Sequence, residues 1–382
     1  MKKSLLLLPI TVLPCLASCG NAPIVTKEYT IKFVNYNGDV LQESLVKEGA
    51  LPIYEGETPT ERCEVAQHEY VYTGWDKQIV RAKEDTTYIA TFDYVFDFGS
   101  YPQTLVSDLD LIAQLENITS VDDHGYKTTI DGKQYFEYIS EQNYTADDGT
   151  KVEIDAEEQI YKYYEVKPIQ WKILIDDEDG RTFYTTYKLL VQQIYNDLPE
   201  SSNPDCNNDY ETSVLHTWLN DNVAPTQVTD IGGFYWRAFR NGESILPVDV
   251  DVDEQSTCDE DNPYADEEPI QAKVFELSRL NLRGKGDTSY TTEEYDFHNN
   301  DDLANPSRTA TTTDFARATG AGFAFYEGKY YGMYWTKSPS FNTWTFDDDI
   351  YAYMVMTDGH VIHHNVDETC YCARPAIRFN AE

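Results

Sequence analysis

Positive charge is the scarcest commodity of this chain. Its 382 residues hold 29 Lys and Arg against 67 Asp and Glu, a formal net charge of −38. A field of that sign repels phosphate backbones and anionic lipid head groups, so nucleic-acid binding and membrane contact through a basic surface are both excluded. Long apolar runs are also missing: beyond the first twenty residues no segment is apolar enough to span a bilayer. There is no GxSxG elbow and no HxxxH on a clear helical pattern, so neither an α/β-hydrolase nucleophile nor a zincin-type zinc pair is signalled. Cysteine is sparse, at seven residues, and methionine sparser, at four. What is abundant is tyrosine, 30 residues in an aromatic fraction of 14%, which sets the chain apart from acidic disordered proteins.

Residues 1–20 read MKKSLLLLPITVLPCLASCG. Lys2 and Lys3 form a positive start, Leu5 to Leu13 a short apolar run, and Leu16-Ala17-Ser18 precedes Cys19. This resembles the bacterial lipoprotein signal, which implies cleavage of residues 1–18 and acylation of the Cys19 thiol. Two acyl chains, at about 0.8 kcal/mol per buried CH₂, hold a protein stably on a membrane. The alternative is an ordinary cleaved signal with an incidental Cys. Either way the remainder is expected outside the cytoplasm, at the cell membrane when Cys19 is the anchor. There the five cysteines Cys63, Cys206, Cys258, Cys370 and Cys372 leave at least one thiol unpaired or one intermolecular bond. Cys206 and Cys258 both fall in acidic loops and are candidates to pair.

Residues 19–28 read as a tether. Over residues 29–94 Tyr29, Ile31 and Phe33 alternate with Thr30, Lys32 and Val34, and Asn37-Gly38 predicts a hairpin turn. Val40, Leu41 and Leu45 continue as a second strand. The stretches YTIKFVNYNGDVL, YVYTGWDK and TTYIATF resemble the repeat of internalin-like surface proteins (the Listeria–Bacteroides repeat), which implies a small β-grasp-like module acting as a spacer or adhesive unit.

Residues 95–382 read as a larger mixed α+β domain. Alternation of Val166, Ile169, Trp171, Ile173 and Ile175 predicts a strand, with Thr182 to Leu190 as its hairpin partner across Asp179-Gly180. Thr212 or Ser213 caps a helix whose apolar face is Leu215, Trp218 and Leu219, ending at Asn220 to Asn222. A second helix is predicted over Thr311 to Ala318, with Asp314 in its first turn and Gly320 beyond its end. Asp358-Gly359 predicts another hairpin between Met354 and Val361. Residues 120–160 and 247–269 are acidic and are expected as inserted surface loops with little order. The ordered landmarks FDFGSYPQ (96–103), KPIQWKIL (167–174), YETSVLHTWLND (210–221), KVFELS (273–278), YWTKSPS (334–340) and ARPAIRF (373–379) resemble an uncharacterised bacterial domain family. That order is in turn similar to the C-type-lectin-like fold, which the formylglycine-generating enzymes also use, and fold alone does not imply function.

Four groups of residues are candidates for chemistry. Asp249, Asp251, Asp253 and Glu260, with Gln255 and Thr257, occupy the spacing of a Ca²⁺ loop, but Glu254 stands where the sharp turn requires Gly, and a solvated acidic loop is the competing reading. His360, His363 and His364 lie near Cys370 and Cys372, ligand types for zinc, against which stands surface or core histidine beside buried thiols. Trp344 with Asp347, Asp348 and Asp349 combines an aromatic face with carboxylates, the pairing a glycan surface needs; most of the neighbouring aromatics, Trp335 first, read as core. Lys337 and Arg374 sit beside Pro339 and Pro375, and Arg374 is expected to meet an acid within the domain and hold the terminal strand. These signals point to non-enzymatic recognition at a bacterial surface, with a glycan or surface protein as partner. An enzyme of the formylglycine-generating type, an unassigned hydrolase, and a solute-capturing or structural lipoprotein are the alternatives.

Overall fold

Asn37 and Gly38 turn the chain as their sequence predicts: Gly38 takes φ +89°, and its N–H donates to the carbonyl of Asn35 at 2.9 Å. They join β1 (Glu28–Val34) to β2 (Val40–Lys47) in an antiparallel pair that sets Phe33 opposite Gln42. The computed structural model describes residues 27–62, 68–154, 160–176, 182–197, 208–239, 245, 248–250, 270–278, 282, 308–340 and 351–378. Among them are twenty strands and four short helices, so the mixed α+β architecture is dominated by sheet.

Contacts among the described residues divide the chain into two units, Met1–Glu61 with Val71–Phe92, and Arg62–Tyr70 with Asp93–Glu382. Strands β3 (His68–Trp75) and β4 (Thr86–Leu105) each contribute to both. In the first unit β4 runs parallel to β1, with Phe33 opposite Tyr88. Tyr29, Ile31, Phe33, Ala82 and Tyr88 are its buried core, and Phe33 lies 4.8 Å from the Trp75 ring. Val40, Leu41 and Leu45 do form a strand, yet all three stay exposed. Leu41 and Leu45 lie on the face opposite the core, which Val46 joins, and Val40 sits where the register shifts against Val34.

The second unit continues through α1 (Leu109–Glu116), capped by the Asp108 side chain. Next come β5 (Lys127–Thr128), β6 (Gln134–Ile139), β7 (Tyr144–Thr145), β8 (Lys151–Val152) and β9 (Tyr161–Asp176). Expecting 120–160 to be a loop with little order is therefore wrong over 120–154. Tyr126, Tyr135, Phe136, Tyr144 and Val152 are buried, and the acidic residues gather at turns such as Asp122 and Asp148. Aromatic burial outweighs local acidity here. β9 is the hub of the sheet: it pairs antiparallel with the end of β4, with β6 and with β10 (Thr182–Thr186). Pro168, which has no N–H to give, lies opposite Ser100 beside a bulge at Gly99, whose φ is +71°.

The chain goes on through β11 (Lys188–Leu189), α2 (Val214–Asn220), α3 (Phe234–Ala238), β12 (Val248–Val250), β13 (Ile270–Ala272), β14 (Ala310–Thr312) and α4 (Asp314–Ala318). β15 (Phe323–Tyr326), β16 (Lys329–Gly332), β17 (Tyr334–Pro339), β18 (Tyr351–Val355), β19 (Val361–Asn365) and β20 (Ala376–Arg378) complete it. β20 closes on β10, with Ile377 opposite Tyr184. The second predicted helix starts at Asp314 rather than Thr311, because Thr311 and Thr312 are held in β14 by β11 and Thr311 by β16 as well. Thr313 supplies the cap, accepting from Ala316 N–H at 3.0 Å, and Gly320 ends the turn at φ +103°.

Candidate ligand-binding cleft

Ser213 rather than Thr212 caps α2, its hydroxyl accepting from the His216 N–H at 3.0 Å. That start point sets the rotation of the helix. Leu215 and Leu219, four apart, are buried, while Val214, Thr217, Trp218 and Asp221 follow at i, i+3, i+4 and i+7 along another stripe. This stripe is one wall of a cleft of about 570 Å³.

The facing wall is Ile231, Gly232 and Gly233, the approach to α3. Trp218 Nε1 donates to the Gly232 carbonyl at 2.8 Å, and its ring lies 5.6 Å from that of Phe234, so the indole is fixed in place. Gly233 has to be glycine: a Cβ there would come within 2.4 Å of the Asp221 Cβ. The loop behind is tied down by Arg237, fully buried, whose guanidinium donates to the carbonyls of Ile231 (2.8 Å), Val228 (3.3 Å), Asp230 and His124. It also lies 4.4 Å from the Phe136 ring.

Glu141, Gln192, Gln193, Thr212 and Thr319 complete the lining. Thr319 O–H donates to the Ala316 carbonyl at 3.0 Å and accepts from Gln192 N–H at 2.9 Å. The N–H of Glu141 bonds to the Ala318 carbonyl at 2.7 Å, and its carboxylate accepts from the Tyr138 hydroxyl. Burial, helped by Glu141, pushes the Tyr138 phenol well up, so Tyr138 remains a donor. α4 is itself locked from beneath. Arg317, fully buried, pairs with Asp147 at 2.6 Å and with Asp314 and lies 4.2 Å from the Tyr330 ring; Asp314 also accepts from Leu105 N–H at 2.9 Å. An indole, hydroxyls, amides and two carboxylates around one cleft can stack on a polar ring and bond its hydroxyl groups.

Of the residues singled out from sequence as candidates for chemistry, those described do not line the cleft. Cys19, Trp344, Asp347, Asp348, Asp349, Asp251, Asp253 and Glu260 fall outside the described residues, as do Cys206 and Cys258. Asp249 lies in β12, paired with Gln271. Among the described residues no three His, Cys, Asp or Glu gather as metal ligands. His360 Nδ1 meets Asp358 at 2.9 Å, and His363 packs edge-on to Tyr351. Cys370 and Cys372 are both free thiols, half-buried and buried, and burial pushes each thiol up, away from reactivity. Trp335 is core, its Nε1 donating to the Gln193 carbonyl at 3.0 Å, and Lys337 is buried too. Sequence reading assigned Trp218 to an apolar helix face. Its signal as a cleft residue was the i+4 spacing from Val214 combined with Thr217 and Asp221. Glu141, Gln192 and Thr319 carry no local signal.

A family model described as a domain of unknown function (DUF6273) matches residues 185–380. No curated protein and no solved structure matches the chain. The matched stretch is just over half of the chain and contains every lining residue of the cleft except Glu141; the chain belongs to the DUF6273 family.

Proposed function

We propose that this protein is a lipid-anchored bacterial surface protein, held to the membrane through Cys19, that recognises saccharides in the cleft beside Trp218. Within this reading residues 29–94 are a β-grasp-like spacer and residues 95–382 a C-type-lectin-like domain. The supporting observation is the indole of Trp218, fixed by its bond to Gly232 and bordered by Thr217, Gln192, Gln193, Glu141 and Asp221. A ring held at that angle offers a stacking face at little entropic cost, and the polar groups around it suit hydroxyls.

The test is a glycan array probed with the full-length chain and with Thr217→Arg, which fills the cleft from an exposed position. Saccharide binding by the parent and its loss in the variant are expected; an array with no bound saccharide sinks the reading. The pair Glu141 and Asp221 favours a second reading, glycoside hydrolysis, which needs two carboxylates. Release of reducing ends from a bound oligosaccharide would establish hydrolysis over recognition.

A further inference from the structure

Among the described residues that line the cleft, none is Lys, Arg or His, while Glu141 and Asp221 are carboxylates. They come from different parts of the fold. Glu141 follows β6, and Asp221 ends α2. Neither is ion-paired among the described residues. The Glu141 carboxylate accepts a bond from Tyr138, and Asp221 Oδ1 accepts from Val223 N–H at 2.9 Å. An ionised carboxylate has about four acceptor sites, so both keep most of their capacity. Thr319 is already committed in both directions, whereas the side-chain amides of Gln192 and Gln193 have no hydrogen bond within the described residues. The cleft thus holds a surplus of acceptors, two of them charged, beside an aromatic face that attracts cations. The net charge of −38 reinforces the same preference at long range.

We propose that the cleft selects amine-bearing saccharides, oligomers of 2-amino-2-deoxyhexose with free ammonium groups, over their N-acetylated and uronate counterparts. The proposal rests on the saccharide reading above and adds charge selection to it. An ammonium group donates three hydrogen bonds to the acceptors present. Acetylation removes the charge and leaves one N–H, and a uronate meets repulsion from both carboxylates.

The test is calorimetric titration of the full-length chain with a glucosamine oligomer, its N-acetylated form, an oligouronate of the same length and a trilysine peptide. The amino oligomer is expected to bind at least about tenfold more tightly than the N-acetylated one, with an advantage that shrinks as salt is raised. Glu141→Gln and Asp221→Asn preserve the bonds to Tyr138 and Val223. Each should weaken the amino oligomer by about tenfold and the N-acetylated oligomer by much less, so that the preference for the amine shrinks. Equal affinity for both oligomers, or loss of neither in the two variants, overturns charge selection and leaves saccharide recognition standing. No saccharide bound, with or without binding of trilysine, overturns both.

Discussion

The main-chain N–H of Arg374 donates to the Glu276 carboxylate, at 3.0 Å to Oε1 and 3.2 Å to Oε2, while its guanidinium turns to the Arg308 carbonyl at 2.9 Å and the Tyr334 hydroxyl at 2.7 Å. Arg374 does meet a buried acid beside the closing strand, as expected from sequence, but its side-chain hydrogen bonds go elsewhere. Burial raises the Glu276 carboxyl well above the usual carboxylate range, a shift only partly opposed by the N–H and charge of Arg374. The folded state therefore holds this proton more tightly than the unfolded chain. The associated stability is present at low pH and is lost as pH rises above the unfolded value, by up to about 1.4 kcal/mol per unit. Glu276→Gln cannot titrate. Urea unfolding across pH 5 to 8 should show the variant gaining on the parent with rising pH, and parallel curves would contradict this.

Arg237 gives hydrogen bonds to four carbonyls and has no carboxylate partner among them. Arg237→Met leaves those carbonyls buried and unmet, at a cost of about 3 kcal/mol or more. Arg237→Lys should not restore the loss, since an ammonium cannot reproduce the planar fork. Denaturant midpoints of the two variants test this, and a Lys variant as stable as the parent would refute it.

Ser213 caps α2 and donates to the Tyr210 carbonyl at 2.7 Å. Ser213→Ala is expected to cost about 1 kcal/mol. It should also weaken saccharide binding, because α2 carries one wall of the cleft. Paired unfolding and binding curves check both effects.

Gly233→Ala forces its Cβ against Asp221, within 2.6 Å of the carbonyl. Overpacking of this kind costs about 1–3 kcal/mol. The clash falls between the two cleft walls, so affinity should drop along with the unfolding midpoint. An unchanged dissociation constant would separate the glycine from the site.

The proposed acylation of Cys19 predicts palmitate incorporation in the parent and none in Cys19→Ala. Mass spectrometry of the native protein provides the same check: a retained Met1 without fatty acid would refute the anchor.

Local signals carried much of the secondary structure. Asn37-Gly38 and Asp358-Gly359 are turns, with Gly359 at φ +86° and Met356 N–H bonded to the His360 carbonyl at 2.8 Å. Ser213 and Gly320 bracket helices because side-chain oxygens and left-handed glycines act within a few residues. Composition misleads over 120–154, where acidic turns dominate while Tyr and Phe residues find partners far along the chain, as Phe136 does on Phe315 at 5.8 Å.

The amino-acid sequence alone determined the acidic field and the turns at Asn37-Gly38 and Asp358-Gly359, since each depends on charge or on contacts between near neighbours. Only the tertiary structure decided where the cleft lies. Glu141, Gln192, Trp218, Gly233 and Thr319 sit on separate segments and meet through bonds that no local pattern encodes: Trp218 Nε1 to the Gly232 carbonyl, Gln192 N–H to the Thr319 hydroxyl and Glu141 N–H to the Ala318 carbonyl.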